Sequence, residues 1–335
     1  MPELLARARL EALVAQASGH RIAIIGDAML DVYLKGDVDR ISPEAPVPVV
    51  RVRERREALG GAANVAQNVL ALGAKCELVA AVGDDVAGRR LSEELAGRGA
   101  DVRGLVTIAR ATTTKTRVLA RSQQLLRFDE EDDGEVTGRE AEALLAAVRR
   151  AARDADALVF EDYNKGVLVP SVIAAGIAVA RERGIPVVVD PKYRHFFAYQ
   201  GATVFKPNRR ELEAALGAAV DLDHPEALPA VVSRVGAAHV LLTLGERGMA
   251  LVSADGSLMR VKTTAREVYD VVGAGDTVTA WLAAMLAAGA TVREAAVIAN
   301  YAAGVQVGKL GAATVSPVEV LEAYDVFMAH GVKGA

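Results

Sequence analysis

Cysteine is almost absent from this chain, because only Cys76 carries a thiol among its 335 residues. A single thiol excludes an internal disulfide and any metal site built from several cysteines. Cys76 lies in the apolar run KCELVAAVG, where we expect a buried and unreactive side chain. Scarce cysteine is typical of a reducing compartment, so we expect a cytoplasmic location.

Histidine is also scarce, and the five histidines are scattered with no HExxH motif. The sequence has neither a P-loop of the form GxxxxGKS/T nor a convincing GxGxxG motif after a strand. We therefore predict no dedicated metal-binding residues. A divalent cation carried by nucleotide phosphates would need few protein ligands, so the pattern does not exclude one.

No surplus of positive charge is present. The formal net charge is −4, and no stripe of lysine and arginine stands out, so nucleic acid is not expected as a partner. The segment 1–17 mixes Glu3, Arg7, Arg9 and Glu11 with apolar residues, unlike a signal peptide or a membrane span. We interpret it as an amphipathic helix and expect no membrane partner.

The order of apolar and helical segments predicts an α/β fold. Runs rich in valine and isoleucine alternate with alanine-rich stretches, as in a parallel sheet covered by helices. The predicted strands are 21–27, 76–83, 156–162, 185–191, 202–208 and 239–245. The predicted helices are 61–72, 87–98, 137–152, 170–183, 209–217, 274–288 and 291–307. Most of these strands end in Asp, Asn or Gly, at the sheet edge where ligands bind in such folds.

Two segments, 32–58 and 111–129, interrupt this pattern with β-type alternation and exposed charges. Together they predict a small, mostly antiparallel sheet that projects from the α/β body. Such a sheet could cover a cleft as a lid, pair with a second copy in a homodimer, or be a solvated excursion; exposed sheet edges are usually covered, which favours the first two. The chain shows no repeat or long linker, so we expect one domain over residues 1–335.

A glycine-rich bend opens the helix in DVVGAGDTVTAWLAA, residues 270–284. Gly273 and Gly275 let the backbone turn sharply, and the apolar helix that follows is typical of a buried one. Free amides at a helix N-terminus attract anions. Asp276 could cap this helix or, beside a bound phosphate, accept a proton.

Two further groups of residues accompany this bend. LGGAANVAQNVLALG places Gly60 and Gly61 before a helix, with Asn64 one turn inside it. GDAMLDVY leaves Asp27 and Asp31 after the first strand, and ionised carboxylates suit the recognition of several hydroxyl groups.

The motifs GD...LD, GGAANVA, KPN, TLGERG and GAGD occur in this order and resemble the ribokinase-like (PfkB) family of carbohydrate kinases over nearly the whole chain. The resemblance implies a three-layer α/β/α domain with a mostly parallel central sheet and a small β-sheet lid. One departure is Asp270-Val271, where many members have Asp-Thr, so help from a threonine hydroxyl is lost.

The resemblance also implies roles for individual residues. Asp276 would be the general base, and the bend of Gly273, Ala274 and Gly275 would stabilise the transferring phosphoryl group of ATP. Nucleotide phosphates, magnesium waters and adenine would be held by Asn208, Thr243, Gly245, Glu246 and Asn300. Sugar hydroxyls would be held by Asp31, Gly60, Gly61 and Asn64. The implied cofactors are ATP and Mg²⁺, and the implied partner is a small sugar phosphate.

Within the family, GDAMLDVYLKGDVDRISPEAPVPVV and EDYNKG resemble kinase domains that phosphorylate D-glycero-β-D-manno-heptose 7-phosphate at its anomeric hydroxyl for the lipopolysaccharide inner core. No HxGH motif of a fused nucleotidyltransferase is present, so we expect a stand-alone kinase. The distal phosphate needs cations, for which Lys165 and Lys192 are the first candidates, with Arg194, Arg121 and Arg127 behind them. Alternatives are a kinase for ribose, fructose 1-phosphate or a nucleoside, or a non-catalytic sensor.

Overall fold

The computed structural model describes residues 5–121, 123–265 and 267–331. In chain order its strands are β1 (Arg21–Gly26), β2 (Ala28–Ile41), β3 (Pro48–Gly61), β4 (Lys75–Gly83), β5 (Asp101–Ile108), β6 (Thr114–Ala120), β7 (Gln123–Glu130), β8 (Ala157–Glu161), β9 (Val187–Asp190), β10 (Val204–Phe205), β11 (His239–Thr243), β12 (Met249–Ser253) and β13 (Leu258–Val261). Its α-helices are α1 (Arg7–Ala17), α2 (Ala62–Ala71), α3 (Val86–Gly97), α4 (Gly138–Asp154), α5 (Pro170–Arg183), α6 (Arg209–Leu216), α7 (Leu228–Val235), α8 (Ala274–Ala287), α9 (Val292–Gln306) and α10 (Pro317–Gly331).

Within the described residues, nine strands form a large sheet in the order β13-β12-β11-β10-β9-β8-β1-β4-β5. Neighbours from β11 to β5 pair in parallel, and β12 and β13 pair antiparallel at one edge. Along β1, Ile22 and Ile24 lie in one apolar core while Ala23 and Ile25 lie in another, because successive side chains point to opposite faces. Helices cover both faces, which confirms the predicted three-layer architecture with a mostly parallel sheet.

Most predicted elements occur within two or three residues of their expected bounds. The strand expected over 202–208 is reduced to β10, since Pro207 has no N–H to donate to a ladder. The predicted N-terminal helix is described from Arg7, and residues 1–4 lie outside the described part. The sequence analysis missed β5, β12, β13, α7 and α10. No helix among the described residues is long and apolar enough to cross a membrane.

The small sheet has the order β3-β2-β6-β7. Its strands contain most of both predicted segments, 32–58 and 111–129. The β2-β3 and β6-β7 pairs are antiparallel and the β2-β6 pair is parallel, so the sheet is mostly antiparallel as predicted. β2 begins directly after β1, and β3 ends where α2 begins. The small sheet therefore starts at the carboxyl edge of the large one.

Strand register gives the small sheet two chemically different faces. Residues paired across strands share a face. One face has the rows Asp31–Lys115–Asp129 and Tyr33–Arg117–Arg127, and the other has the rows Leu34–Val118–Leu126 and Val32–Thr116–Phe128. On β2, β6 and β7 one face is therefore charged and the other is mostly apolar, while β3 adds Glu57 and Arg55 to the second face.

Close contact between β1 and β8 requires a glycine at position 26. A Cβ atom added to Gly26 would lie 2.1 Å from the backbone oxygen of Glu161. We expect Gly26→Ala to lower the free energy of unfolding by about 1–3 kcal/mol through overpacking, measured by urea denaturation. The control is Gly97→Ala, because a Cβ there meets nothing within 4 Å; this variant should be neutral or slightly stabilised. Equal stability of the two variants would contradict the contact.

Candidate active site

A cavity of about 200 Å³ lies where the small sheet meets the N-terminus of α8. It is lined by Met29, Asp31, Gly60, Gly61, Asn64, Lys115, Arg117, Arg127, Tyr163, Val272, Gly273, Asp276 and Ala312. The structure therefore brings together both glycine motifs, which are more than 200 residues apart in the sequence.

Asp276 lies in the first turn of α8 and is only 5% exposed. Its Oδ2 accepts a hydrogen bond from the Asn64 amide at 2.5 Å, and its Oδ1 accepts one from the Tyr163 hydroxyl at 2.8 Å. Burial raises the pKa of Asp276, and the hydrogen bonds from Asn64 and Tyr163 oppose that rise. The N-cap position of α8 is Gly273, and no described side chain caps the first amides of this helix. The carboxylate therefore does not cap its own helix.

The first amides of α8 were expected to bind an anion, and two of them are unpaired among the residues that the structure describes. The Ala274 N–H donates to the Val271 carbonyl at 3.3 Å. Within the described part of the chain, the amides of Gly275 and Asp276 have no hydrogen-bond acceptor. The Lys206 ammonium lies close by, 3.6 Å from where a Cβ of Gly275 would stand. Two unpaired amides, a helix dipole and a cation thus favour negative charge here.

The side chain of Asn64 is part of a buried hydrogen-bond network. Besides its bond to Asp276, its side-chain oxygen accepts from Gln67 at 2.6 Å and from Asn68 at 3.2 Å. Gln67 also donates to the Ala312 carbonyl at 3.1 Å. Asn64 was expected to bind sugar hydroxyls, which stays a prediction; it lines the cavity, and its amide donates to the carboxylate of Asp276.

Gly60 and Gly61 allow close approaches at the cavity wall. A Cβ on Gly60 would lie 2.6 Å from Asp31 Oδ2, and Gly61 has a φ of +57° with Asp27 O 2.4 Å from its would-be Cβ. Asp31 Oδ1 accepts from Arg117 at 2.6 Å. Asp31 therefore lines the cavity, paired with a cation of the small sheet, and its binding of sugar hydroxyls stays a prediction.

The carboxylate of Asp27 is engaged by backbone amides. It is buried, and its oxygens accept backbone N–H groups of Tyr163, Lys165 and Val167 at 2.8, 2.9 and 3.2 Å. Burial raises the pKa of Asp27 to about 6. Its side chain is an anchor for the loop that follows β8.

Three carboxylates gather below the cavity. Oxygen atoms of Glu161, Asp190 and Asp276 all lie within 4.8 Å of one another. Lys206 donates to Asp190 at 2.6 Å, while both carboxylate oxygens of Glu161 are buried without a hydrogen-bond partner among the described residues. Burial, together with the charges of Asp190 and Asp276, raises the pKa of Glu161 well above its ordinary value. The cluster can accept a further cation.

The basic residues first expected at the distal phosphate do not line this cavity. Lys165 pairs with Glu131 at 2.8 Å, and Lys192 pairs with Glu211 while its ammonium lies 5.5 Å from the centroid of the Tyr163 ring. The cations that do line the cavity are Lys115, Arg117 and Arg127 of the small sheet. Of the residues proposed from sequence, only Arg127 is among them.

The residues expected at the nucleotide gather at neighbouring strand ends. Asn208 and Thr243 form an isolated parallel bridge after β10 and β11. Asn208 also caps α6, accepting from the Glu211 N–H at 2.9 Å, which is the ordinary turn chemistry of this residue type. Gly245 and Glu246 lie exposed in a short turn after β11.

A second cleft, of about 840 Å³, lies beside α9 and α10; we call it the α9-α10 cleft. Its wall includes Thr264, Tyr269, Gly304, Val305 and Phe327. Asn300 does not line it, because its side chain is buried and donates to the Lys262 carbonyl at 2.8 Å. Asn300 thus supports the segment that forms one wall.

Sequence reasoning missed Tyr163, Glu161 and Lys206. All three lie in the motifs EDYNKG and KPN, next to the predicted site residues Lys165 and Asn208. The available signal was position, since Glu161 ends β8 and Lys206 follows β10 at the edge where ligands bind.

Comparison with known sequences identifies relatives over nearly the whole chain. The pfkB family carbohydrate kinase model matches residues 20–319. The bifunctional protein HldE of Rhodospirillum rubrum is 46% identical over 318 residues, which cover 94% of this chain and 64% of that protein. HldE of Geobacter metallireducens is 43% identical, covering 94% of this chain and 65% of that protein. The chain thus spans just under two thirds of the length of these relatives.

Solved structures share the fold at low identity. Phosphofructokinase-2 from Escherichia coli in complex with potassium has a TM-score of 0.76 and 21% identity, covering 92% of this chain and 99% of that chain. The ribokinase of Arabidopsis thaliana complexed with ribose and ATP has a TM-score of 0.71 and 20% identity, covering 91% of this chain and 98% of that chain. The fold is ribokinase-like. With the family model matching most of its length, this chain belongs to the pfkB family of carbohydrate kinases and is a sugar kinase.

Proposed function

We propose that this protein transfers the γ-phosphoryl group of ATP to the anomeric hydroxyl of D-glycero-β-D-manno-heptose 7-phosphate. The product would be the 1,7-bisphosphate, used for ADP-heptose and the lipopolysaccharide inner core, in the cytoplasm. The observation that carries the kinase chemistry is the buried Asp276 carboxylate beside two unpaired helix amides. The choice of heptose rests on the motifs quoted above and on the similarity to HldE.

Asp276 would act as the general base. It accepts the proton of the anomeric hydroxyl while that oxygen forms a bond to the γ-phosphorus and the bond to the ADP oxygen breaks. An anomeric hydroxyl is more acidic than an ordinary alcohol, so a carboxylate is an adequate base. The amides of Gly275 and Asp276 and the Lys206 ammonium would stabilise the charge on the transferring group.

The α9-α10 cleft would take the nucleoside, since it is large and adjoins the segment leading to α8. Magnesium fits the carboxylate cluster, because Glu161 has two buried oxygens without partners and Mg²⁺ prefers oxygen ligands. Glu161 and Asp190 would hold the ion, which would neutralise charge on the ATP phosphates. This placement replaces our expectation that the protein offers no metal-binding residues.

The alternatives within the family are kinases for ribose, fructose 1-phosphate or a nucleoside. Three cations line the small cavity, which favours an acceptor that already carries a phosphate over ribose or a nucleoside. A non-catalytic sensor is not favoured, since the chain is a carbohydrate kinase.

A coupled ADP-release assay with a panel of acceptors tests this proposal. We expect turnover of heptose 7-phosphate and little turnover of ribose, fructose 1-phosphate or nucleosides. Asp276→Asn should lower kcat by about 10²- to 10⁴-fold, since it removes the base, while ATP binding measured by calorimetry stays nearly unchanged. Rapid turnover of ribose with no turnover of heptose 7-phosphate would contradict the substrate assignment. An Asp276→Asn variant that keeps most of the wild-type kcat would contradict the assignment of Asp276 as the general base.

We also propose that Lys115, Arg117 and Arg127 hold the distal phosphate of the acceptor. All three line the cavity with Asp276, and they share the charged face of the small sheet. Lysine and arginine both bind phosphate, and arginine does so through two parallel donors.

Arg127→Ala should raise the KM for heptose 7-phosphate by about 10- to 100-fold, the loss expected for hydrogen bonds to a charged group. The KM for ATP and for the unphosphorylated heptose should change little. The control is Arg53→Ala, since Arg53 is also paired with a carboxylate of this sheet, Asp37, but does not line the cavity. Equal effects of the two variants would contradict a specific phosphate contact.

A homodimer through the small sheet is the last part of the proposal. The apolar face of the small sheet carries Leu126 and Phe128, whose exposed fractions are 55% and 43%. A partly apolar face is usually covered. We expect Leu126→Lys with Phe128→Lys to shift the protein to a monomer in light scattering. Leu310→Lys, at an exposed leucine outside this sheet, is the control. A wild-type monomer, or a dimer that survives the double substitution, would contradict this interface.

A further inference from the structure

The phenol of Tyr163 is the polar group at Asp276 to which the mechanism above gives no role. Its hydroxyl donates to Asp276 Oδ1 at 2.8 Å, and its side chain lines the same cavity. On the other side, Asn64 donates to Oδ2. The carboxylate is thus held by one neutral donor on each oxygen.

The backbone of Tyr163 is held by hydrogen bonds to the Asp27 side chain. One oxygen of the buried Asp27 carboxylate accepts the N–H groups of both Tyr163 and Lys165, and the other accepts that of Val167. Asp27 directly follows β1, and the loop that it anchors directly follows β8. The parallel pairing of these two strands therefore sets the point from which the phenol reaches Asp276.

The ring of Tyr163 is fixed as well. The Lys192 ammonium lies 5.5 Å from its centroid, a cation-π contact. A Cβ on Gly61 would lie 3.5 Å from Tyr163 Cδ2, so the second glycine motif lies beside the ring. These neighbours surround the ring whose hydroxyl donates to Asp276.

We propose that Tyr163 is a positioning residue for phosphoryl transfer, which together with Asn64 holds the Asp276 carboxylate toward the acceptor hydroxyl and away from the first amides of α8. The inference rests on the proposed role of Asp276 as the base. An aspartate in a first turn can accept hydrogen bonds from free helix amides. A carboxylate that turned back would occupy the amides reserved for phosphate. Each oxygen keeps a second lone pair, so the tether still leaves room for the acceptor proton.

Tyr163→Phe tests this inference, because it removes the donor and keeps the ring. We expect kcat to fall by about 10- to 100-fold, the cost of a misplaced reacting group, with KM for ATP and acceptor nearly unchanged. The matched control is Tyr324→Phe, since the buried Tyr324 hydroxyl donates at the same distance, 2.8 Å, to the Leu5 carbonyl. It should lose similar stability in thermal unfolding and keep its kcat.

The comparison is made on whichever sugar the wild type phosphorylates. Turnover of a sugar other than heptose 7-phosphate would therefore overturn the substrate proposal and still decide the role of Tyr163. A crystal structure of Tyr163→Phe supplies a readout independent of the acceptor, in which we expect Asp276 to have rotated. Retention of most of kcat, an equal loss in Tyr324→Phe, or an unmoved carboxylate would each overturn the inference.

Discussion

Burial of a carboxylate at the N-terminus of an apolar helix is the constraint on which this site depends. α8 is buried over almost its whole length, so its first turn lies inside the protein. A buried charge is costly unless hydrogen bonds and opposite charges compensate it. Asn64 and Tyr163 supply the hydrogen bonds, and the Lys206 ammonium favours the charged form. The surrounding elements are arranged so that these donors reach one residue.

The donors come from parts of the chain that meet only because the central sheet is parallel. Asn64 enters on α2, Tyr163 follows β8 and Lys206 follows β10. Parallel strands bring their carboxyl ends to one edge, so residues after successive strands become neighbours. Asp27 links this edge to the loop carrying Tyr163 through three backbone hydrogen bonds. The same architecture that orders the core therefore positions Asp276.

The small sheet presents different side chains on its two faces. Its charged face lines the cavity with Lys115, Arg117 and Arg127, and its apolar face points the other way. Because side chains alternate along each strand, substrate binding and association can be served by different residues of the same strands. A one-residue shift in register would exchange the two faces, so the pairing of β6 with β7 matters for the site.

Much of the fold could be predicted from local patterns. The apolar runs predicted six strands of the large sheet, and the motifs around Gly60 and Gly273 predicted where two helices begin at a ligand site. These features depend on neighbouring residues, whose periodicity and turn chemistry are visible in the chain. The edge hairpin of β12 and β13 and the helices α7 and α10 were missed, since their runs are short or of ambiguous periodicity.

By itself the sequence determined the α/β class, the two glycine bends and the presence of Asp276 at a helix entrance. Tertiary structure alone decided which partners each polar side chain takes. Lys165 pairs with Glu131 and Lys192 pairs with Glu211, whereas the cations that line the cavity come from the small sheet. The Tyr163 hydroxyl donates to Asp276, although the two residues are 113 positions apart in the sequence. Ion pairs and hydrogen bonds depend on distances of a few ångströms, which spacing along a chain cannot supply until the strands are packed.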